Sequence, residues 1–239
     1  MNKDRIVGIH QPNFFPWLGY FNKIFKSDFF VILDDVQFPK KGGSWSNRVK
    51  IIISGQSNWL TAPIVRNYTG VKKINEMEFN NFEQWKKKIS KTIEINYKKA
   101  PFYFEVEEFI MNLILNDENN IAKYNLKSIF DICKILDIDY EKIMLSSNIP
   151  YKGTSNDLLV SITKKLKANI YLSGDGANEY LDETVFQESN IDVKYLNYKP
   201  KKYDQYNSNE FISGLSIIDV LMNLGFERSK KLLTEEATP

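Results

Sequence analysis

The chain has 239 residues, of which 43% are hydrophobic and 26% are charged, a composition typical of a folded globular protein rather than a disordered one. Its 32 basic and 30 acidic residues give a net charge of +2, so the overall balance points to neither nucleic acid nor an anionic membrane as a partner. One cysteine excludes an intramolecular disulfide bond. Without a signal peptide or an apolar run of roughly 20 residues, we expect a cytoplasmic protein with no membrane span.

The first predicted elements alternate between strands and a helix. Residues 5–10 form an apolar strand and residues 18–26 a short amphipathic helix. Residues 29–33 are five consecutive apolar residues, which indicates a strand buried on both faces. This strand–helix–strand order predicts a right-handed parallel βαβ unit.

A hairpin and three helices follow. Residues 49–53 and 59–65 are predicted strands on either side of the polar loop 54–58. Apolar residues then recur at spacings of three and four. These spacings predict amphipathic helices over residues 82–97, 102–115 and 119–136.

The last third of the chain returns to alternating elements. The predicted elements are a helix from Thr154 or Ser155 to Lys167, strands over 169–172 and 193–196, and a helix over 216–224 that ends at Gly225. Together the elements predict one α/β domain over residues 1–239. It would hold a Rossmann-like parallel or mixed sheet and a helical insertion or subdomain over residues 80–140.

The only histidine, His10, ends the first predicted strand, directly after the apolar run 6–9, at the position where parallel sheets present groups to a ligand. The ordinary pKa of an imidazole lies near neutrality, so His10 is a candidate general base. A helix that begins near Pro16 would direct free N–H groups toward the same space, which favours a phosphate or carboxylate. Gln11, Asn13 and Trp17 are therefore candidate ligand contacts. The alternative is a buried histidine that caps a turn.

Two carboxylates, Asp34 and Asp35, follow the second predicted strand. Neighbouring parallel strands end at the same edge of a sheet, so either carboxylate should lie near His10. There it could orient the imidazole, hold a metal ion or bind a ligand amine. Gln37 is a candidate substrate contact in the same turn. In the alternative, one aspartate caps the turn and the other is solvated.

The loop over residues 42–48 carries a second set of candidate binding groups. Its two glycines permit unusual backbone angles, and the ring of Trp45 offers a flat face to a sugar or a base. Asn47 and Arg48 could bind a phosphate or a carboxylate. The alternative is an ordinary solvated loop.

Ser173, Gly174 and Gly176 follow a late strand as a Gly-x-Gly loop whose backbone amides could hold an anion. The single histidine excludes a multi-histidine zinc site, and we predict no metal centre. A further polar group is expected to serve in capping and in surface hydrogen bonds: Tyr203, Asp204, Gln205, Ser216, Asp219 and Asn223.

Several blocks of the chain resemble, in order and spacing, the WbqC-like proteins. They are residues 9–20, 33–38, 45 with 47–48, 59–64, 171–174 with 180–181, 203–205 and 215–225. The resemblance implies bacterial surface-glycan genes, O-antigen assembly and the addition of an amino acid or other acyl group to an amino sugar. One departure is the Gly42-Gly43 insertion before Trp45, which is expected to loosen that loop.

The resulting hypothesis is an acyl- or aminoacyltransferase that acts on a nucleotide-linked amino sugar, with His10 as its base. One alternative is an ATP-dependent ligase that forms an acyl adenylate. The start of the chain is similar in fold to adenylate-forming ligases of the pantothenate synthetase type, but it lacks their second histidine. Another alternative is a non-catalytic glycan- or nucleotide-sugar-binding protein. The donor stays open among acyl-CoA, an aminoacyl donor and ATP with Mg²⁺, and so does the oligomeric state.

Overall fold

A computed structural model describes residues 4–174, 176 and 181–235. Its strands are β1 (Ile6–His10), β2 (Phe29–Ile32), β3 (Arg48–Ile53), β4 (Gln56–Thr61), β5 (Ile143–Leu145), β6 (Ile170–Ser173) and β7 (Asp192–Tyr195). Its helices are α1 (Leu18–Lys26), α2 (Phe82–Tyr97), α3 (Tyr103–Ile114), α4 (Ile121–Ile135), α5 (Ser155–Lys165), α6 (Glu183–Gln187) and α7 (Ile217–Thr234). Among these described helices, none combines the length and the apolar character needed to cross a bilayer.

Five strands form one parallel sheet in the order β5-β2-β1-β6-β7. If these five strands are renumbered from 1 to 5 in chain order, their spatial order is 3-2-1-4-5, as in doubly wound folds. The predicted Rossmann-like α/β fold is therefore confirmed. The strand order reverses between β1 and β6, and such folds bind ligands beyond the carboxyl ends of the two strands at this switch point. We call this space the switch-point crevice.

The two faces of the sheet are covered by two hydrophobic cores. Successive residues of a strand point to opposite faces. Val7 and Ile9 accordingly pack into the core beneath α5 and α6, whereas Gly8 and His10 face α1. A Cβ atom on Gly8 would lie 2.4 Å from Oγ of Ser27 and 2.8 Å from a ring carbon of Phe30, so the glycine allows α1 and β2 to approach β1 closely.

The predicted hairpin is present, but its connection is shorter than expected. Ser54 and Gly55 have φ angles of 52° and 80°, and they alone join Ile53 to Gln56. Two successive left-handed residues form a turn whose twist suits a tight hairpin. The predicted five-residue loop is therefore wrong, because the polar residues from Gln56 onward are an exposed strand.

The helix predicted to end at Gly225 does end there, but a second helix follows it directly. This glycine has φ 68° and ψ −175°, which are not helical, so α7 consists of two helices joined at a kink, and the second continues to Thr234. A Cβ atom on Gly225 would lie 2.6 Å from the ring of Phe102 and 2.7 Å from Oε1 of Glu105. The glycine thus ends the first helix of α7 at a kink and permits a close approach to the start of α3.

Candidate active site

His10 lies at the carboxyl end of β1, at the switch-point crevice. Its carbonyl oxygen accepts a hydrogen bond of 2.8 Å from the backbone N–H of Leu33, and its ring packs edge-on against Tyr20, with 5.0 Å between the centroids. Nδ1 lies 3.3 Å from the carbonyl oxygen of Gln11. Because a carbonyl only accepts, this contact assigns the ring hydrogen to Nδ1 and leaves the lone pair on Nε2. Nε2 is therefore the atom that can accept a proton.

A buried lysine, Lys23 of α1, lies beside the end of β1. Only 2% of it is exposed, and its Nζ donates a hydrogen bond of 2.8 Å to the carbonyl oxygen of Ile9. Nζ also lies 5.8 Å from the ring centroid of Tyr171 in β6. Lys23 thus reaches across both strands of the switch point. The sequence prediction omitted it, although its place three residues after the buried Tyr20 puts it on the inward face of α1.

Burial and the charge of Lys23 together lower the pKa of His10 to about 3, and the hydrogen bond to the Gln11 carbonyl opposes them. Both causes disfavour a second positive charge at this place. The imidazole is therefore neutral at pH 7, so Nε2 keeps its lone pair at neutral pH.

Asp34 lies at the predicted edge of the sheet, but its side chain binds toward β5 and not toward His10. Oδ1 accepts hydrogen bonds from Oγ of Ser146 (3.1 Å) and from the backbone N–H of Ser147 (3.0 Å), and Oδ2 accepts one of 3.1 Å from Nδ2 of Asn75. The carboxylate is buried. In this arrangement it fastens β5 and the turn at Asn75 to the end of β2.

Asp35 is also bonded away from His10. Its Oδ1 accepts a hydrogen bond of 2.5 Å from Oγ of Ser146, and its Oδ2 accepts one of 2.8 Å from the hydroxyl of Tyr151. Nζ of Lys73 lies 3.8 Å from the same Oδ2. Burial and the hydrogen bond to Asp35 raise the pKa of Tyr151 to about 12, so the phenol stays a donor. Among the described residues, no group of three acidic, histidine or cysteine side chains could hold a metal ion.

The turn at residues 44–47 is held against the segment that follows His10. The backbone N–H of Phe14 donates to the carbonyl oxygen of Trp45 at 2.8 Å. Nδ2 of Asn125, a buried residue of α4, donates to the carbonyl oxygens of Pro12 (2.9 Å) and Ser46 (2.8 Å). Asn125 was not predicted as a site residue, and its place on the inner face of an amphipathic helix is the signal that could have found it.

Asn13 is buried in this junction, and within the described part of the chain its Oδ1 has no hydrogen-bond partner. The same is true of Oγ of Ser46 and Oδ1 of Asn125. Buried polar atoms normally have partners. Three such atoms in one junction indicate a polar interior beside the His10 segment, suited to ordered water.

Asn47 and Arg48 differ in what their side chains can offer. Asn47 is buried; its Oδ1 accepts from the backbone N–H of Ser44 at 2.9 Å, and its Nδ2 donates to the carbonyl oxygen of Ala62 at 3.0 Å. Its amide therefore holds the turn to the end of β4. Arg48 instead lies over the ring of Trp59, with 4.2 Å from Cζ to the centroid, and its guanidinium forms no ion pair with a described residue.

The Gly42-Gly43 insertion is held in place, contrary to the expected loosening. Arg66 donates to the carbonyl oxygens of Pro39 (3.0 Å), Lys40 (2.6 Å) and Gly42 (2.6 Å). A Cβ atom on Gly43 would lie 2.4 Å from Cδ and Nε of Arg48. The absence of a side chain at Gly43 thus lets Arg48 pack against the loop.

Three other predicted ligand contacts, Gln11, Trp17 and Gln37, differ in how far their side chains are packed within the protein. Gln11 is half-buried, and its carbonyl oxygen also accepts from the hydroxyl of Tyr20 at 3.1 Å. The indole of Trp17 packs on Gly19, where an added Cβ atom would lie 2.2 Å from the ring. The ring centroid of Trp17 is 6.0 Å from that of Tyr198. Gln37 is exposed and pairs with Lys73 through the backbone. Trp17 is therefore packed within the protein, whereas Gln11 and Gln37 keep free side chains within the described structure.

The predicted Gly-x-Gly loop leaves β6 on the other side of the crevice. Ser173 is buried, and its Oγ donates to the carbonyl oxygen of Gly174 at 3.3 Å. A Cβ atom on Gly174 or Gly176 would meet no atom of a described residue within 4 Å. The rest of the predicted loop motif, Asp175 and residues 177–180, lies outside the described residues.

Asp219 is buried, so the expectation of surface hydrogen bonds there is wrong. It accepts from the hydroxyls of Tyr97 (3.0 Å) and Tyr203 (2.8 Å) and from Nε2 of Gln205 (3.3 Å). Burial raises its pKa to about 6, against the effect of these donors. Asp219 thus ties α7 to α2 and to the 203–205 segment, while Ser216 caps α7 as expected, accepting from the N–H of Ile218 at 3.2 Å.

The structure therefore brings together His10, Gln11 and the loop at Ser173 around the switch-point crevice, and adds Lys23 to them. Asp34 and Asp35 share the edge of the sheet but bond to other partners. The segment with Trp45 and Arg48 is attached beside the crevice through Phe14.

Comparison with known proteins agrees with the resemblance described above. A model of the WbqC-like protein family matches residues 11–231. A protein of Mycobacterium tuberculosis (strain ATCC 25618 / H37Rv), described as "Uncharacterized protein Rv1507c", is 30% identical over 222 residues, which cover 92% of this chain and 94% of that protein. No solved structure matches the chain.

Proposed function

Because this chain belongs to the WbqC-like protein family, we propose that it is a cytoplasmic acyl- or aminoacyltransferase. Its substrate would be the amine of a nucleotide-linked amino sugar used in bacterial surface-polysaccharide and O-antigen assembly. The observation that carries the proposal is the neutral imidazole of His10 at the switch-point crevice, with the lone pair of Nε2 not bonded to any described residue.

In the proposed reaction, the neutral sugar amine attacks the acyl carbonyl carbon and a C–N bond forms. Nε2 of His10 takes the proton that the nitrogen loses. The bond from the carbonyl carbon to the leaving group then breaks, and the leaving group takes its proton from the imidazolium. Amide and protonated leaving group are the products, so the histidine returns to its neutral form.

The charge of Lys23 supports a role for an anion in this reaction. In the free protein the pKa of His10, about 3, is too low for an efficient base. A phosphate or carboxylate bound beside Lys23 would offset the ammonium charge and raise the pKa of the imidazole. Binding of an anionic donor or carrier would thus activate the base only in the complex.

An ATP-dependent ligase is the second candidate. The 3-2-1-4-5 strand order, with a histidine at the carboxyl end of β1, favours a bound nucleotide at the switch point. In that case the acid would react with ATP to give an acyl adenylate and pyrophosphate, and the amine would then displace AMP. A non-catalytic nucleotide-sugar-binding protein is the remaining alternative and would release neither product.

The test is to incubate the protein with UDP- and dTDP-linked amino sugars and with acyl-CoA, an aminoacyl donor, or ATP, Mg²⁺ and a free acid. Mass spectrometry detects the amide, and release of pyrophosphate or AMP identifies the ligase. We expect His10→Ala to lower turnover by about 100-fold or more, since removal of a general base has effects of this size. The control is Tyr20→Phe, which keeps the ring against His10. Full activity of His10→Ala would contradict the proposed base.

A further inference from the structure

The near-neutral total charge conceals a strongly basic segment. Residues 36–75 contain seven basic residues and no acidic one, whereas the rest of the chain has 25 basic and 30 acidic residues. The seven are Lys40, Lys41, Arg48, Lys50, Arg66, Lys72 and Lys73. This segregation gives one region a positive potential that the overall count does not reveal.

The hairpin places part of this charge on one face. Lys50 is directly opposite Trp59 in the β3–β4 register, and Arg48 is two residues before Lys50. Opposed residues of an antiparallel pair share a face, as do residues two apart in one strand. Val49 and Leu60, on the other face, are buried in the core.

Two exposed indoles complete this surface. Trp45 is 48% and Trp59 is 39% exposed, and their ring centroids are 5.3 Å apart. Nζ of Lys50 lies 5.3 Å from the centroid of Trp59, beside Arg48 at 4.2 Å. We call Trp45, Arg48, Lys50 and Trp59 the indole face.

The two cations of the indole face have no acidic partner among the residues that the structure describes. Within the described ranges, neither Arg48 nor Lys50 forms an ion pair, and of the seven basic residues only Lys73 does so, with Asp35. Exposed aromatic rings next to unneutralised cations are a surface on which an anionic, ring-bearing ligand gains both stacking and charge pairing.

We propose that the indole face binds a nucleoside diphosphate, with the base stacked on an indole and the phosphates paired with Arg48 and Lys50. This inference rests on the proposed function and assigns the nucleotide of the sugar carrier to a defined surface. A mononucleotide fits better than a nucleic-acid strand, because the surface has one pair of rings with two cations rather than a long basic stripe. The hydrogen bond from Phe14 to Trp45 joins this surface to the His10 segment.

The test measures the affinity of the full chain for UDP, dTDP and inorganic pyrophosphate by calorimetry. We expect Trp59→Ala to weaken UDP and dTDP binding by about tenfold, the size of a lost stacking contact, and to leave pyrophosphate binding unchanged. Trp45→Ala is the second aromatic variant. The double variant Arg48→Gln/Lys50→Gln should weaken the binding of all three ligands by at least about tenfold. Far-ultraviolet circular dichroism checks the fold of each variant.

The matched control is Lys87→Gln/Lys88→Gln, which removes the same charge from an exposed part of α2 and should change each affinity by less than about twofold. Equal affinities of the wild type and both aromatic variants would overturn the inference, as would a single-stranded oligonucleotide that binds far more tightly than UDP. Nucleotide binding at this surface without any acylated product would refute the proposed function alone. Product formation with an unchanged KM in Trp59→Ala would refute this inference alone.

Discussion

At the scale of single residues, the relation between His10 and Lys23 defines the candidate site. Lys23 is held at the end of β1 by its hydrogen bond to the Ile9 carbonyl, so its positive charge is fixed near the imidazole. A flexible surface lysine would be screened by water and would have little effect. The charge of Lys23 therefore adds to burial, the larger cause, in lowering the pKa of the only histidine.

We predict that Lys23→Met raises the pKa of His10 but leaves it below 6.5, because burial, the larger cause of the shift, remains. Since the chain has one histidine, its ring C–H signals in a proton NMR titration report this pKa without overlap. Lys87→Met, an exposed change on α2, should leave the titration unaltered. A wild-type midpoint near 6.5 would contradict the described environment.

A second residue-scale prediction concerns Gly8. In Gly8→Ala the new methyl group would overlap Ser27 and the ring of Phe30, so we expect a loss of about 1–3 kcal/mol in the free energy of unfolding. Gly174→Ala is the matched control, because its Cβ atom would meet no described residue within 4 Å, and it should change stability by less than about 0.5 kcal/mol. Urea unfolding compares the two. Equal stabilities would disprove the close packing of α1 on β1.

At the scale of elements, amphipathic helices were the most predictable parts of the chain. The bounds of α1 and α2 were predicted as observed, because their apolar spacing is regular and their ends are marked. β5 was not predicted, since it has only three residues and an exposed Met144. The hairpin turn was missed because Ser54 adopts a left-handed conformation that its residue type does not indicate.

The buried carboxylate of Asp219 connects three elements, and its substitution tests that connection. The pKa of Asp219 is raised to about 6, so its contribution to stability is complete below its ordinary value of 3.8 and is lost as the pH rises through 6. We predict that wild-type stability includes this fall and that Asp219→Asn lacks it. The free energy of unfolding of the variant should also be about 1–3 kcal/mol lower, because an amide N–H₂ group replaces one of the acceptor oxygens.

Urea unfolding at pH 4.5 and pH 7.5 measures both effects of Asp219→Asn. Asp204→Asn, an exposed neighbour of the same segment, is the control and should behave as the wild type. An identical pH dependence in wild type and Asp219→Asn would show that the carboxylate does not titrate in this range.

At the scale of the whole molecule, His10 should make the protein sensitive to acid. Its folded pKa of about 3 lies below the ordinary 6.5, so between these values the unfolded chain binds a proton that the folded chain does not. The contribution of His10 to stability is therefore complete above pH 6.5 and falls as the pH drops, by up to about 1.4 kcal/mol per unit. We expect His10→Gln to lose less stability than the wild type between pH 6.5 and 5 in urea unfolding. A steeper loss in the variant would contradict this prediction.

The fold could be predicted from local patterns, but the partners of the site residues could not. Apolar runs and helical spacing predicted the α/β class and placed His10 and the Ser173 loop at strand ends. The partner of Asp35, Ser146, is 111 residues away in the sequence, and no local pattern marks such a contact. Lys23 was missed for a related reason, since its burial depends on how α1 packs against β1.

Asn125 gives the helical middle of the chain a role in the candidate site. One side-chain amide of α4 bonds both the segment after His10 and the turn that carries Trp45. A shortened version without α2, α3 and α4 would therefore lose this link and keep the hydrogen bond from Phe14 to Trp45 between the two segments, even if the parallel sheet remained intact. Attempts to reduce the protein to a minimal parallel sheet should keep α4, and insertions or affinity tags are better placed in exposed loops such as the one at Gly70.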